Sequence, residues 1–129
     1  MVNVNVTAKG SDGPVDWEID GKKAANSTIE FKPKTGPQVI HFMLDDQTGR
    51  DLRFDQSDSF WADKNLAAGC PSAGASCDQT TVLSCNDKQL VVRNENSGEP
   101  CTVHYQLNFV DAQGNREGAD PIIKNGGSA

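Results

Sequence analysis

The sequence predicts an all-β protein: an antiparallel, immunoglobulin-like β-sandwich of about seven to eight strands, with one long disulfide-stapled loop. Three observations predict it. Apolar residues recur at every second position along most of the chain, the spacing that turns one face of a strand inward. No window of about 12 residues sustains the 3.6-residue period of a helix. The alternating runs follow one another at intervals of ~8–12 residues, broken by turn formers, as in a sandwich. With 129 residues, 36% of them hydrophobic, the chain has the size and apolar content of one domain. We expect that domain to span 1–129, with 124–129 a flexible tail. The antibody spacing of Cys, Trp and Cys is missing, and no cysteine stands two residues after Tyr105. The analogy is thus one of architecture and carries no function.

The elements follow in order. Val2, Val4 and Val6 alternate with Asn3, Asn5 and Thr7. Val15, Trp17 and Ile19 alternate with Asp16, Glu18 and Asp20. Asp20-Gly21 predicts a type I′ hairpin, because both central residues of that turn need positive φ. Ile29 and Phe31 make a strand that Pro33, having no N–H to donate, ends. From Gln38 to Leu44 both parities are apolar, which predicts a central strand or one whose outer face meets a partner. Leu52 and Phe54, then Val82, then Leu90 and Val92, predict short strands. Val103, Tyr105, Leu107 and Phe109 give the clearest alternation, against His104, Gln106 and Asn108. Asp111 to Asn115 reads as a turn, and Asp120 to Lys124 as a last edge strand. Ser59 to Ala68, with Phe60, Trp61 and Leu66 behind an Asp58 or Ser57 cap, predicts one or two helical turns. The irregular stretch from Asp55 to Cys77 is long enough that it should be functional or stapled.

Charge excludes one partner class. Twelve Lys+Arg against 18 Asp+Glu leave a net charge of −6, so nucleic acid, which needs a basic surface, is not expected. Self-repulsion favours a soluble monomer, or a weak homo-oligomer through the 39–44 strand. No membrane span is expected either. The longest uncharged apolar run, Val39 to Leu44, is broken by His41 and falls far short of the ~20 residues a spanning helix needs. Met1 to Val6 lacks the basic and apolar regions of a signal peptide.

The four cysteines, Cys70, Cys77, Cys85 and Cys101, predict two disulfides and an extracellular or periplasmic setting. Cytoplasmic residence stays open if the thiols are reduced. Cys70–Cys77 with Cys85–Cys101 is the favoured pairing, because residues 71–76 are small and can fold back. Cys77–Cys101 with Cys70–Cys85 is the alternative if Cys85 and Cys101 fall at opposite ends of the Leu90–Val92 strand. The sequons at Asn5 and Asn26 are short enough to arise by chance.

No catalytic constellation emerges. The cysteines are separated by 6, 7 and 15 residues and the two histidines lie 63 positions apart, spacings that no zinc site uses. His41, His104, Cys101 and Met43 supply blue-copper ligand types, but strand parity turns Cys101 and His104 to opposite faces. The same parity opposes a Cys101–His104 nucleophile pair. No nucleophile elbow, phosphate-binding glycine motif or zinc-protease motif occurs. We therefore expect no catalysis and no obligate cofactor.

Two binding ideas remain. Asp45, Asp46, Asp51, Asp55, Asp58 and Asp63 crowd one segment. Asp45, Asp46 and Asp51 in particular could offer oxygen ligands to calcium, against the plainer reading of a solvated acidic rim. Trp61 and Phe60 stand among Asp55, Asp58 and Asp63. An aromatic face beside carboxylates and amides suits a sugar, against the plainer reading that the rings anchor the loop. The sequence thus predicts a non-catalytic binding or structural module. The alternative is a calcium- or carbohydrate-binding module using the 45–63 segment, with an unidentified protein or glycan as partner.

Overall fold

The computed structural model describes residues 1–65 and 71–128. Among these the strands are β1 (Val2–Lys9), β2 (Asp16–Ile19), β3 (Lys22–Lys23), β4 (Thr28–Phe31), β5 (Gln38–Asp46) and β6 (Arg53–Phe54). They continue with β7 (Phe60–Lys64), β8 (Thr80–Cys85), β9 (Gln89–Asn94), β10 (Cys101–Val110), β11 (Arg116–Ala119) and β12 (Ile122–Asn125). One 3-10 turn, Ala24–Asn26, interrupts them. The protein is all-β.

The strands form two sheets facing one another. The first runs β3-β2-β1-β5-β9-β8. In the second, β10 is flanked on one side by β12 and β11 and on the other by β7 and β6, while β4 lies outside β12. Both sheets are mixed, which corrects the purely antiparallel, immunoglobulin-like expectation. β1 runs parallel to β5, with Val2 opposite Ile40 and Val6 opposite Leu44. β4 runs parallel to β12, with Thr28 opposite Ile122. Period-two alternation tells which face of a strand is buried; it holds no information on which strand lies beside it, or in which direction.

Several expectations meet the structure directly. Asp20 (φ 49°) and Gly21 (φ 84°) both adopt the positive φ that a type I′ turn demands, and the hairpin pairs Glu18 with Lys23. β5 is central, between β1 and β9. It buries Ile40, Phe42 and Leu44, leaving Val39, His41 and Met43 half-buried on its outer side. In the 111–115 turn, Asp111 Oδ1 accepts from the N–H groups of Gln113 and Asn115, both at 2.9 Å.

Between the sheets the buried side chains form one contiguous cluster. Val4, Val6, Ile40, Phe42, Leu90 and Val92 from the first sheet meet Val103, Tyr105, Leu107, Phe109 and Ile123 from the second. Phe109 is sandwiched between Trp17, at a ring-centroid distance of 4.3 Å, and Phe54, at 4.6 Å. Each such aromatic pair adds about 0.5–1.5 kcal/mol beyond its area burial.

Three further expectations are corrected. The helical turns over Ser59–Ala68 are a strand from Phe60 to Lys64 (66–68 lie outside the described residues). Pairing with β10 fixes it, since Phe60 and Ala62 fall opposite the buried Leu107 and Tyr105. The strand at the C-terminal end is no edge strand, because β12 lies between β10 and β4. Nor are residues 125–128 loose. Asn125 donates to Gln79 Oε1 (3.1 Å), Gly127 N–H to Asn96 Oδ1 (2.9 Å) and Ser128 N–H to the Gly98 carbonyl (3.0 Å).

Among the described residues no disulfide is formed. Cys77, Cys85 and Cys101 carry free thiols, half-buried against the core; Cys70 lies outside the described residues. Neither Cys85–Cys101 nor Cys77–Cys101 is bonded, while the pairings of Cys70 with Cys77 or Cys85 reach outside the described residues. Cys85 lies opposite Leu90 in the first sheet and Cys101 opposite Asn125 in the second.

Candidate functional site

Of the residues singled out for binding, the outer face of the second sheet carries Trp61 and Asp63, with Asp58 bonded to Trp61. Along β10 the inward row Val103, Tyr105, Leu107 and Phe109 is fully buried, and the outward row includes the half-buried His104 and Gln106. Register places Trp61 opposite Gln106 and Asp63 opposite His104 on β7. On the other side it places Gly118 opposite Asn108 and Ile122 opposite His104. Trp61 is therefore on the outer face of a rigid strand. Phe60, its neighbour, turns inward and stacks on Tyr105 at 5.6 Å.

A hydrogen-bond chain fixes Trp61 in place. Its indole Nε1 donates to Asp58 Oδ1 at 2.8 Å. The carbonyl of Asp58 accepts from Asn108 Nδ2 at 2.9 Å, and Asn108 Oδ1 accepts from Gln106 Nε2 at 2.7 Å. The main chain of Asn108 also receives the N–H of Asp55 and donates to the carbonyl of Ser59, each at 2.9 Å. The 55–59 turn is thereby pinned beside β10. Gly118 is needed for this arrangement, because a Cβ there would stand 2.6 Å from Gln106 Nε2.

Arg116 closes the end of the network. Its Nη2 meets Asp55 Oδ2 at 2.6 Å and Asp58 Oδ2 at 3.8 Å. Burial pushes the Asp55 carboxyl up, but hydrogen bonds from Ser57 and Arg116, together with the guanidinium charge, outweigh it and hold the group below the ordinary carboxylate value. Asp55 is thus committed to structure, whereas Asp58 joins the tryptophan to the arginine. Arg116 and Gly118 were not legible as site residues. The only signal would have been their position directly after a turn, where the chain returns alongside β10.

Asp45, Asp46 and Asp51 serve the turn after β5. Asp46 Oδ1 accepts from the N–H and Oγ of Thr48, and its Oδ2 from the N–H of Leu52 at 2.8 Å. Burial raises its pKa, yet these bonds and Lys88 bring it below the ordinary value. Asp45 accepts from Gln47 Nε2 at 2.9 Å, and Asp51 is exposed with φ 56°. Among the described residues no group of three or more His, Cys, Asp or Glu is arranged to hold a metal ion.

His41 and His104 point outward from different sheets, so they stand on opposite sides of the molecule. Burial pushes the Cys85 and Cys101 thiols up, the opposite of what activates a nucleophile.

One comparison with known proteins finds a match: the model of the DP-EP family covers residues 1–127. No curated protein matches, and no solved structure matches.

Proposed function

The chain belongs to the DP-EP family, and we propose that it is a non-catalytic binding module that receives a glycan on the outer face of its second sheet. The observation that carries this is Trp61, held on a strand by its bond to Asp58 and bordered by Gln106 and Asn108. A sugar presents an apolar face of C–H bonds and a rim of hydroxyls. The first suits an indole; the second suits amides and carboxylates, each able to donate or accept. Strands position Trp61, Gln106 and Asn108, and the hydrogen-bonded 55–59 turn positions Asp58, which lowers the ordering cost of binding. The raised thiols and the separated histidines support a role without chemistry. The uncharged outer row Val39, His41 and Met43 of β5 supports a weak contact between copies of the chain.

The test is an NMR titration with cellotriose, maltotriose and chitotriose, reading the indole N–H of Trp61. Binding near ~1 mM, a typical level for a weak recognition site, should move that signal and be lost in Trp61→Ala. If none of the three moves it, the glycan reading fails.

A further inference from the structure

A second concavity lies away from the Trp61 face, where the β2–β3 edge of the first sheet meets the corner after β11. It is a cleft of about 290 Å³, near the lower end of the size range of small-ligand sites. Trp17 forms its apolar wall, immobilised by its stack on Phe109. Ala24 and Ala119 keep it open, having only a methyl group each to fill it. Two carboxylates, Asp16 and Asp120, line it beside one ammonium, Lys23.

The charges are not mutually satisfied. Lys23 Nζ stands 3.9 Å from Asp16 Oδ1, and both side chains are largely exposed, so the pair is loose and screened. Asp120 stands exposed at the rim of the cleft, and the desolvation it does undergo pushes its carboxyl pKa up, with no hydrogen bond to offset the effect. A carboxylate in that position gains from a cation brought against it. Lys23 already illustrates the accepted chemistry, since the chain rests an ammonium group beside Asp16.

We propose that this cleft binds a small ammonium ion carried on a short apolar stem, the stem against Trp17 and the charge between Asp16 and Asp120. The indole and the carboxylates act together on such a ligand, since ammonium groups are attracted to aromatic faces as well as to anions. An anion would meet two carboxylates and is rejected. A neutral alcohol of equal size gains only the apolar part.

The probe is butylammonium chloride, titrated into the full chain at constant ionic strength while the indole N–H of Trp17 is read by NMR. 1-Butanol and sodium butyrate serve as neutral and anionic controls. Butylammonium should bind about tenfold more tightly than 1-butanol, a difference of about 1.4 kcal/mol, and butyrate should not bind. Asp120→Asn should remove most of that preference, and Lys23→Met should tighten binding by vacating Asp16. Equal binding of butylammonium and 1-butanol overturns the proposal, as does an unchanged preference in Asp120→Asn. Nα-acetyl-lysine methylamide, run in parallel, separates two sources of the ammonium group. Binding of butylammonium alone supports a free amine, binding of both supports a lysine side chain as well, and binding of neither overturns the assignment.

Discussion

Asn94 and Asn125 exchange reciprocal side-chain hydrogen bonds from one sheet to the other: Asn94 Nδ2 donates to Asn125 Oδ1 at 2.8 Å, and Asn125 Nδ2 donates to Asn94 Oδ1 at 2.9 Å. They are 0% and 3% exposed. Asn125 Nδ2 also reaches Gln79 Oε1. Partners at fixed geometry select one register of β9 against β12, where apolar contacts alone would tolerate sliding. Replacing one partner strands the other in the interior. Asn94→Leu alone should cost about 1–3 kcal/mol, and Asn94→Leu with Asn125→Leu should cost less than the sum of the two single changes. Urea unfolding of the three variants checks this.

Tyr105 presents the contrary case. Its ring is fully buried between Phe42 and Phe60, and its hydroxyl is buried without a hydrogen-bond partner. Burial pushes its pKa well above the ordinary value. Tyr105→Phe removes the stranded hydroxyl and keeps the ring. It should leave stability unchanged or raise it by about 1 kcal/mol, measured by the same unfolding curves. A loss of stability would mean that the hydroxyl is satisfied in solution.

Two carboxylates link stability to pH. Asp46 and Asp55 both titrate below their ordinary value of 3.8 in the folded protein. Their stabilising effect is therefore complete above the unfolded pKa and is lost as pH falls through the lower, folded pKa. Thermal melts followed downward from neutral pH should show Tm falling below roughly pH 4. Asp55→Asn should lower Tm at neutral pH and flatten the acid limb. Calcium should not raise Tm in the way a bound ion would, because the Asp46 oxygens are already occupied by Thr48 and Leu52.

The free thiols make a further prediction. Cys77, Cys85 and Cys101 should each take an alkyl group without prior reduction, read by intact mass and peptide mapping. Cys85 and Cys101 should react slowly in the folded state, since burial disfavours their thiolates, and faster once unfolded.

The inward residues of most strands were legible, because alternation is a local consequence of the pleat: Val4 and Val6, Ile40 and Phe42, and Val103, Tyr105, Leu107 and Phe109 all face the core. The hairpin at Asp20-Gly21 was legible because its backbone demand is local too. β7 was misread as helix. Phe60, Trp61 and Ala62 mix apolar residues of both parities, and only the register against β10 tells inside from outside. Even so, the segment holding Trp61 and Asp58 was found from its composition, while Arg116 and Gly118 join it solely through strand neighbours distant in sequence. The disulfide expectation failed because a count of cysteines says nothing of the distance between them.

The parallel pairing of β4 with β12 has a consequence for synthesis. Thr28 leaves the ribosome long before its neighbour Ile122 is made. The nascent polypeptide must hold an apolar segment carrying Ile29 and Phe31 in waiting until β12 has been made. Such distant closures slow the search for the native state to milliseconds or longer and leave strand edges open to wrong partners meanwhile. Emergence of β12, rather than of β4, sets the moment at which the second sheet can be completed.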